Sequence, residues 1–305
     1  MSAQVYERIT ERIIAMLEQG IVPWHKPWDA RVSLPRNLVS KQGYRGINVL
    51  LLLSLHYRSP YWLTYRQATQ LGGNVRKGEK ACPVVFWKQT IHEDADSGDE
   101  VRVPLLRYYY VFNLAQCEGL AIDPAPVTEE TGTADWLGQA EKIVVGMPQC
   151  PVIRHGLARA FYSPRVDTVS LPDRNQFDNT ADYFATLFHE LVHATGHATR
   201  LNRPAIVEIG KGGTELYGKE ELLAEIGASF LCGQAGILER TINNSAAYLS
   251  HWLERFRQDT RLIVQASAQA QRAVDFILSV GRQSDTIDRP ETTDITNTAP
   301  DQKAA

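Results

Sequence analysis

Hydrophobic positions along the chain change period several times, and the changes mark out its elements. Ile9, Ile13, Met16 and Leu17 recur at helical spacing, and Gly20 stands where a helix C-cap belongs. Short helices are expected near Asn48–Leu55 and Tyr65–Leu71. Two runs rich in β-branched and aromatic residues follow, Ala81–Gln89 and Leu105–Leu114, and these read as strands joined through a polar loop at His92–Glu100. Periodicity then disappears in Ile122–Ala134, where Pro, Thr and Glu accumulate. Beyond it the pattern predicts a helix over Ala134–Val145 and short strands within Pro151–Leu171. Helices are expected over residues 180–195 and 219–232, with two or more between 245 and 280. The expected fold is α+β in two domains, residues 1–121 and 135–282. Residues 122–134 are the linker, and residues 283–305 form a polar, disordered tail.

Composition changes this picture only in part. With 305 residues, 44% hydrophobic and 22% charged, the chain has the makeup of a globular protein that can bury two cores. The longest apolar run, Ile47–Leu55, is well short of the roughly twenty residues a membrane helix needs. No charged n-region leads into an apolar stretch at the start. The four cysteines form no CxxC pair, so reduced thiols in a cytoplasmic protein are expected. The net charge of −3 conceals an asymmetry: residues 1–88 hold thirteen Lys and Arg against five Asp and Glu. A surface suited to a polyanion is expected in the first half.

The densest candidate chemistry is His189-Glu190-Leu191-Val192-His193. Spacing of i, i+4 on a helix puts both imidazoles on one face, within reach of one ion. Glu190 stands where a carboxylate can act as general base on an activated water. Position 199 is Thr, so the third histidine of a metzincin is missing. Downstream, Glu221 and Glu225 share a face of an otherwise apolar helix in Lys219–Gly227. Two carboxylates there need a cation or donors. Zinc held by His189, His193, Glu221 and a water satisfies one. A histidine N–H, that of His189, bonded to Glu225 satisfies the other. This is a gluzincin arrangement, with one Zn2+ per chain. His155 and His197 each have two readings, as groups beside substrate or ligands, or as capping and solvated histidines.

In the first half, aromatic and basic residues interleave: Trp24, Trp28, Tyr44 and Arg45, then Trp62, and Arg76-Lys77 in a glycine-rich turn. Stacking rings and backbone-tracking cations suit single strands. The same rings could equally be core, and both readings stay open. The Walker A pattern is absent.

These motifs together resemble the ArdC-type antirestriction proteins of conjugative plasmids. The likeness runs from Tyr6 to Leu278 through Pro23-Trp24, Tyr44-Arg45-Gly46-Ile47-Asn48, Trp62-x-Thr64-Tyr65, Arg76-Lys77-Gly78-Glu79 and Val111-Phe112-Asn113. It continues through His155-Gly156, Tyr162 with Asp167, the HExxH segment, Arg200-Leu201 and Glu221-x-x-Ala224-Glu225. The resemblance implies a domain that binds single-stranded DNA without strong sequence preference, joined to a zincin-like metallopeptidase domain. It also implies protection of incoming plasmid DNA from host restriction. The family's ligands fall on His189, His193 and Glu221, with Glu190 as the catalytic carboxylate. Single-stranded DNA is the expected partner, with a host protein as peptidase substrate. The alternative is a protective DNA-binding protein whose metal site is structural or proteolytically inactive. A DNA-cleaving hydrolase is disfavoured, because no cluster of aspartates offers a two-metal site.

Overall fold

A computed structural model describes residues 2–24, 34–93, 100–120, 135–207, 213–237 and 246–280. The expected linker, the polar tail, Trp28 and most of the polar loop lie outside the described residues.

Helix α1 (Ser2–Glu18) buries Ile9, Ile13 and Leu17 along one stripe. It ends in a Schellman motif: Gly20, at φ 76°, donates to Leu17 O, and Ile21 donates to Met16 O. The chain continues through β1 (Arg36–Asn37), α2 (Ile47–Leu53), β2 (Tyr61–Leu63), α3 (Tyr65–Gln70) and β3 (Asn74–Val75). The long strands β4 (Cys82–Glu93) and β5 (Glu100–Asn113) and the short β6 (Cys117–Glu118) complete the first half. Thr64 caps α3 in a capping box closed by Gln67. The four-stranded sheet has the order β1-β2-β5-β4, with β1 and β2 parallel and the other pairs antiparallel. Strands β3 and β6 form a separate antiparallel pair.

The second half opens with α4 (Trp136–Gly146), followed by β7 (Val152–Arg154), β8 (Phe161–Ser163) and β9 (Thr168–Ser170). These strands make a small sheet of order β7-β9-β8, in which β8 is an antiparallel edge. Helices α5 (Thr180–Ala194), α6 (Pro204–Val207), α7 (Gly213–Ala235), α8 (Ala246–Gln258) and α9 (Leu262–Ile277) follow. Helix α5 starts at Asn179, whose side chain accepts the Asp182 N–H, and Asp182 suits the positive end of the helix. Its Tyr183, Phe184, Leu187, Phe188 and Leu191 are buried against the sheet and neighbouring helices. No helix among the described residues is long and apolar enough to cross a membrane.

The two halves share a single hydrophobic cluster that runs from Val5 to Ile277. Polar bonds reinforce it: Thr10 Oγ1 donates to Thr260 O at 2.6 Å, the Gly46 N–H donates to Gln271 at 3.0 Å, and Arg45 pairs with Asp275. Trp24 is 1% exposed and packs edge-on against Trp252 and Phe256 of α8.

That packing corrects three expectations. Trp24, Tyr44 and Trp62 were candidate stacking rings, yet all are buried, at 1%, 6% and 2% exposed. Their faces are already covered, Trp62 for example by Tyr57 at 5.5 Å, so no base can stack on them in this fold. Burial of rings this large contributes more than leaving them open to solvent would.

Candidate metal centre

Helix α5 places His189 and His193 one turn apart, with their rings edge-to-face at 4.7 Å and Nε2 atoms 3.1 Å apart. Helix α7 crosses α5 and brings Glu221 to both. Its Oε2 lies 3.5 Å from His189 Nε2, and its Oε1 lies 3.5 Å from His193 Nε2. Close crossing depends on Gly227, because a Cβ there would come within 2.9 Å of Val192 Cγ2.

These three donors form a triangle with one donor atom from each residue, all within 4.8 Å of one another. A tetrahedral shell with bonds of about 2.0–2.1 Å has donors about 3.3 Å apart. The N–N separation of 3.1 Å and each nitrogen's 3.5 Å to its own nearer Glu221 oxygen lie close to that value, so the carboxylate straddles the two rings. Two imidazole nitrogens facing each other across 3.1 Å would oppose their lone pairs unless a cation or proton lay between them. The donor set, two imidazoles and a carboxylate with one side open, fits a divalent ion.

Glu190, between the two histidines in sequence, is 7% exposed. Burial raises its carboxyl above the ordinary range, against the pull of His193 and His189. The carboxylate also accepts the backbone N–H of Tyr162 on the edge strand β8. Burial pushes Glu221 up as well, but its bonds to His189 and Tyr217 and the nearby His193 outweigh it and bring it down to about 2. Tyr217 stands one turn before Glu221 on α7 and is 67% exposed. Its hydroxyl is pushed up to about 12, chiefly by donating to Glu221.

Two supporting residues escaped the sequence reading. Glu220 Oε1 lies 3.3 Å from His193 Nδ1, the nitrogen opposite the ligand edge. Arg203 grips Glu220 with a 3.0 Å bond from Nε to Oε2 and a 2.5 Å bond to Oε1. It also donates to Val192 O at 2.8 Å and Thr195 Oγ1 at 2.6 Å, which closes the end of α5. Both side chains are buried, at 8% and 5% exposed. The doubled Glu220-Glu221 was the available signal in the sequence, but Arg203 had none.

Glu225 accepts from Trp24 Nε1 at 2.9 Å and from the Tyr248 hydroxyl at 2.5 Å. Burial lowers His189, but its bond to Glu221 and the charges of Glu190, Glu221 and, least, Glu225 outweigh that and raise it. His197 is partly exposed and lies 2.9 Å from Thr199 Oγ1, while His155 stacks on Tyr183 and shares a 3.0 Å hydrogen bond with its hydroxyl. Of the DNA candidates, Arg45 is half-buried against Asp275. Arg76 pairs with Glu79 at 2.7 Å and Lys77 is exposed, both in the turn after β3 and far from the ligand cluster in sequence.

Comparison with known proteins assigns both halves. Residues 3–112 match the N-terminal domain of anti-restriction factor ArdC, and residues 139–269 match a zincin-like metallopeptidase. A protein named DNA primase TraC from Escherichia coli is 36% identical over 295 residues, covering 90% of this chain. The chain spans only 27% of that protein's length. An uncharacterized protein y4eC of Sinorhizobium fredii is 35% identical over 287 residues, which is 90% of this chain and 91% of that one. The metal-free crystal structure of antirestriction protein ArdC from plasmid R388 has a TM-score of 0.72 at 38% identity, covering 89% of this chain and 96% of that one. Its Mn(II)-bound structure gives 0.70 at 36% identity, with 90% and 97% covered.

Fold and site define a zincin-like metallopeptidase domain joined to a distinct N-terminal domain, with a donor set for a divalent metal. The chain belongs to the ArdC family of antirestriction proteins.

Proposed function

We propose that this protein binds single-stranded DNA non-specifically and carries a zinc-dependent peptide hydrolase centre, protecting incoming plasmid DNA from host restriction during conjugation. The observation that carries the catalytic part is the convergence of His189, His193 and Glu221 around one point, with Glu190 buried beside it. Zinc bound by those three residues would supply Lewis acidity to a carbonyl and to water. Glu190 takes the proton from the attacking water, and its raised carboxyl can then release that proton to the leaving amine. Tyr217 donates its hydroxyl to Glu221 and helps hold that carboxylate in place. Glu220, held by Arg203, fixes the ring of His193 through Nδ1. Glu225 adds negative charge behind His189 while anchoring Trp24. The basic balance of residues 1–88 supports a polyanionic partner for the N-terminal domain, with exposed Lys77 open to phosphates and Arg45 and Arg76 reaching them only by sharing or leaving their carboxylate partners. A host protein is the peptidase substrate in this reading, and the protein works in the cytoplasm.

The test is Glu190→Gln beside wild type in a conjugation assay against a restricting recipient. The variant is expected to bind zinc and single-stranded DNA normally and to lose protection. Full protection by the variant would show that hydrolysis is dispensable and would leave a binding protein with a structural metal.

A further inference from the structure

Behind the ligand cluster, where the N-terminal domain meets α7 and α9, lies a cleft of about 460 Å3. Arg203 and Glu220, the pair that holds His193, line it, as does Trp87 of β4. Because Glu220 reaches His193 at Nδ1, the cleft lies on the ring edge opposite the Nε2 that faces the metal position. It is therefore separate from the catalytic mouth.

Its lining has a particular chemistry. Trp87 is 40% exposed, although its cross-strand partner Leu106 is 1% exposed, so the indole stands at a concave surface with free area. Gln265, Gln269 and Arg272 share one face of α9 at i, i+4 and i+7, and all three are exposed. Lys219 sits at the rim in a loose pair with Asp259 at 3.8 Å. Three cations line the cleft against one carboxylate, and that carboxylate is already bonded to Arg203. An open indole, amides that can both donate and accept, and the Lys219 and Arg272 cations together match an unpaired nucleotide. The ring takes a base face, the amides its edge, and the cations the phosphates.

We propose that this cleft is a single-stranded DNA subsite in which one base stacks on Trp87 and the flanking phosphates meet Lys219 and Arg272. The proposal rests on the reading that the chain binds single-stranded DNA, and it states where one nucleotide is held. It also transfers the stacking role from the buried Trp24, Tyr44 and Trp62 to a ring with an open face.

The test uses the full-length protein and a fluorescein-labelled oligo(dT) read by anisotropy, with a 5-iodouracil version for photocrosslinking and peptide mapping. The crosslink is expected at Trp87. Trp87→Ala should bind about five- to a hundredfold more weakly, and Trp87→Phe should recover most of the loss. Lys219→Glu with Arg272→Glu, a change confined to the rim, should weaken binding and flatten its salt dependence, whether or not the alanine variant folds. If wild type binds but the crosslink maps elsewhere and the rim variant binds equally well, the subsite is overturned and the DNA-binding reading stands. Absence of wild-type binding at low salt removes both. Unchanged oligonucleotide affinity in Trp87→Ala, coupled with lost peptide hydrolysis, would assign the cleft to a peptide and overturn the proposal.

Discussion

Single residues decide how the ligand-bearing helix α5 is held. The Arg200 side chain is 1% exposed and ties three segments together: it donates to Gln149 O, to Ala194 O at the end of α5, and to both oxygens of Asp167. Asp167, at a positive φ of 45°, also accepts the Tyr162 hydroxyl at 2.8 Å. Burial raises its carboxyl, but the Arg200 and Tyr162 bonds outweigh this and hold it below the ordinary range. A lowered folded value means stability that is present above roughly pH 4, the unfolded range, and is lost as pH falls through the lower folded value. Because Asp167 is 35% exposed, solvent screens the pair and Asp167→Asn should cost about 1 kcal/mol at neutral pH. Urea melts of both proteins from pH 7 to pH 3 check this: the gap should narrow as the wild type approaches its acid limb. A gap that persists unchanged at pH 3 would deny the carboxylate this role. The pair was visible in the sequence only as part of a family likeness, because residues 33 positions apart carry no local signal of contact.

At the scale of elements, the site depends on how closely α5 and α7 cross. The HExxH period and the ExxAE period each predict a helix with a polar edge on an apolar body, and both helices are present. The sequence also indicated which side chains could bind a metal, because ligand spacing is a property of one helix. It could not indicate Glu220 as the partner of His193, since that depends on the rotation of α7 against α5. Gly227 is the contact that sets the distance. Gly227→Ala should force Val192 aside, destabilise the fold by about 1–3 kcal/mol and weaken metal binding. Adding Val192→Ala makes room, so the double variant should recover metal affinity relative to the single one. Zinc titration of the two variants checks this, and equal affinities would place the helix crossing outside the control of Gly227.

For the whole molecule, the surprise lies in the aromatic residues. Stacking on bases and filling a core draw on the same side chains, so composition around Trp24 and Trp62 could not separate the two roles. Trp24 proves to be a tie between domains, packed on α8 and bonded to Glu225 on the metal-bearing half. A continuous core predicts one cooperative unfolding transition. Trp24→Ala should lower stability by about 3–5 kcal/mol while leaving the DNA affinity of the folded protein unchanged. Calorimetry paired with anisotropy tests both parts. Two separate transitions in wild type, or a selective loss of DNA affinity, would refute the shared-core account. The donor cluster formed by α5 and α7 is tested by metal content, measured by mass spectrometry of protein purified without chelators. Wild type should carry one zinc per chain and His193→Ala almost none; an undiminished zinc content in the folded variant would contradict the assignment.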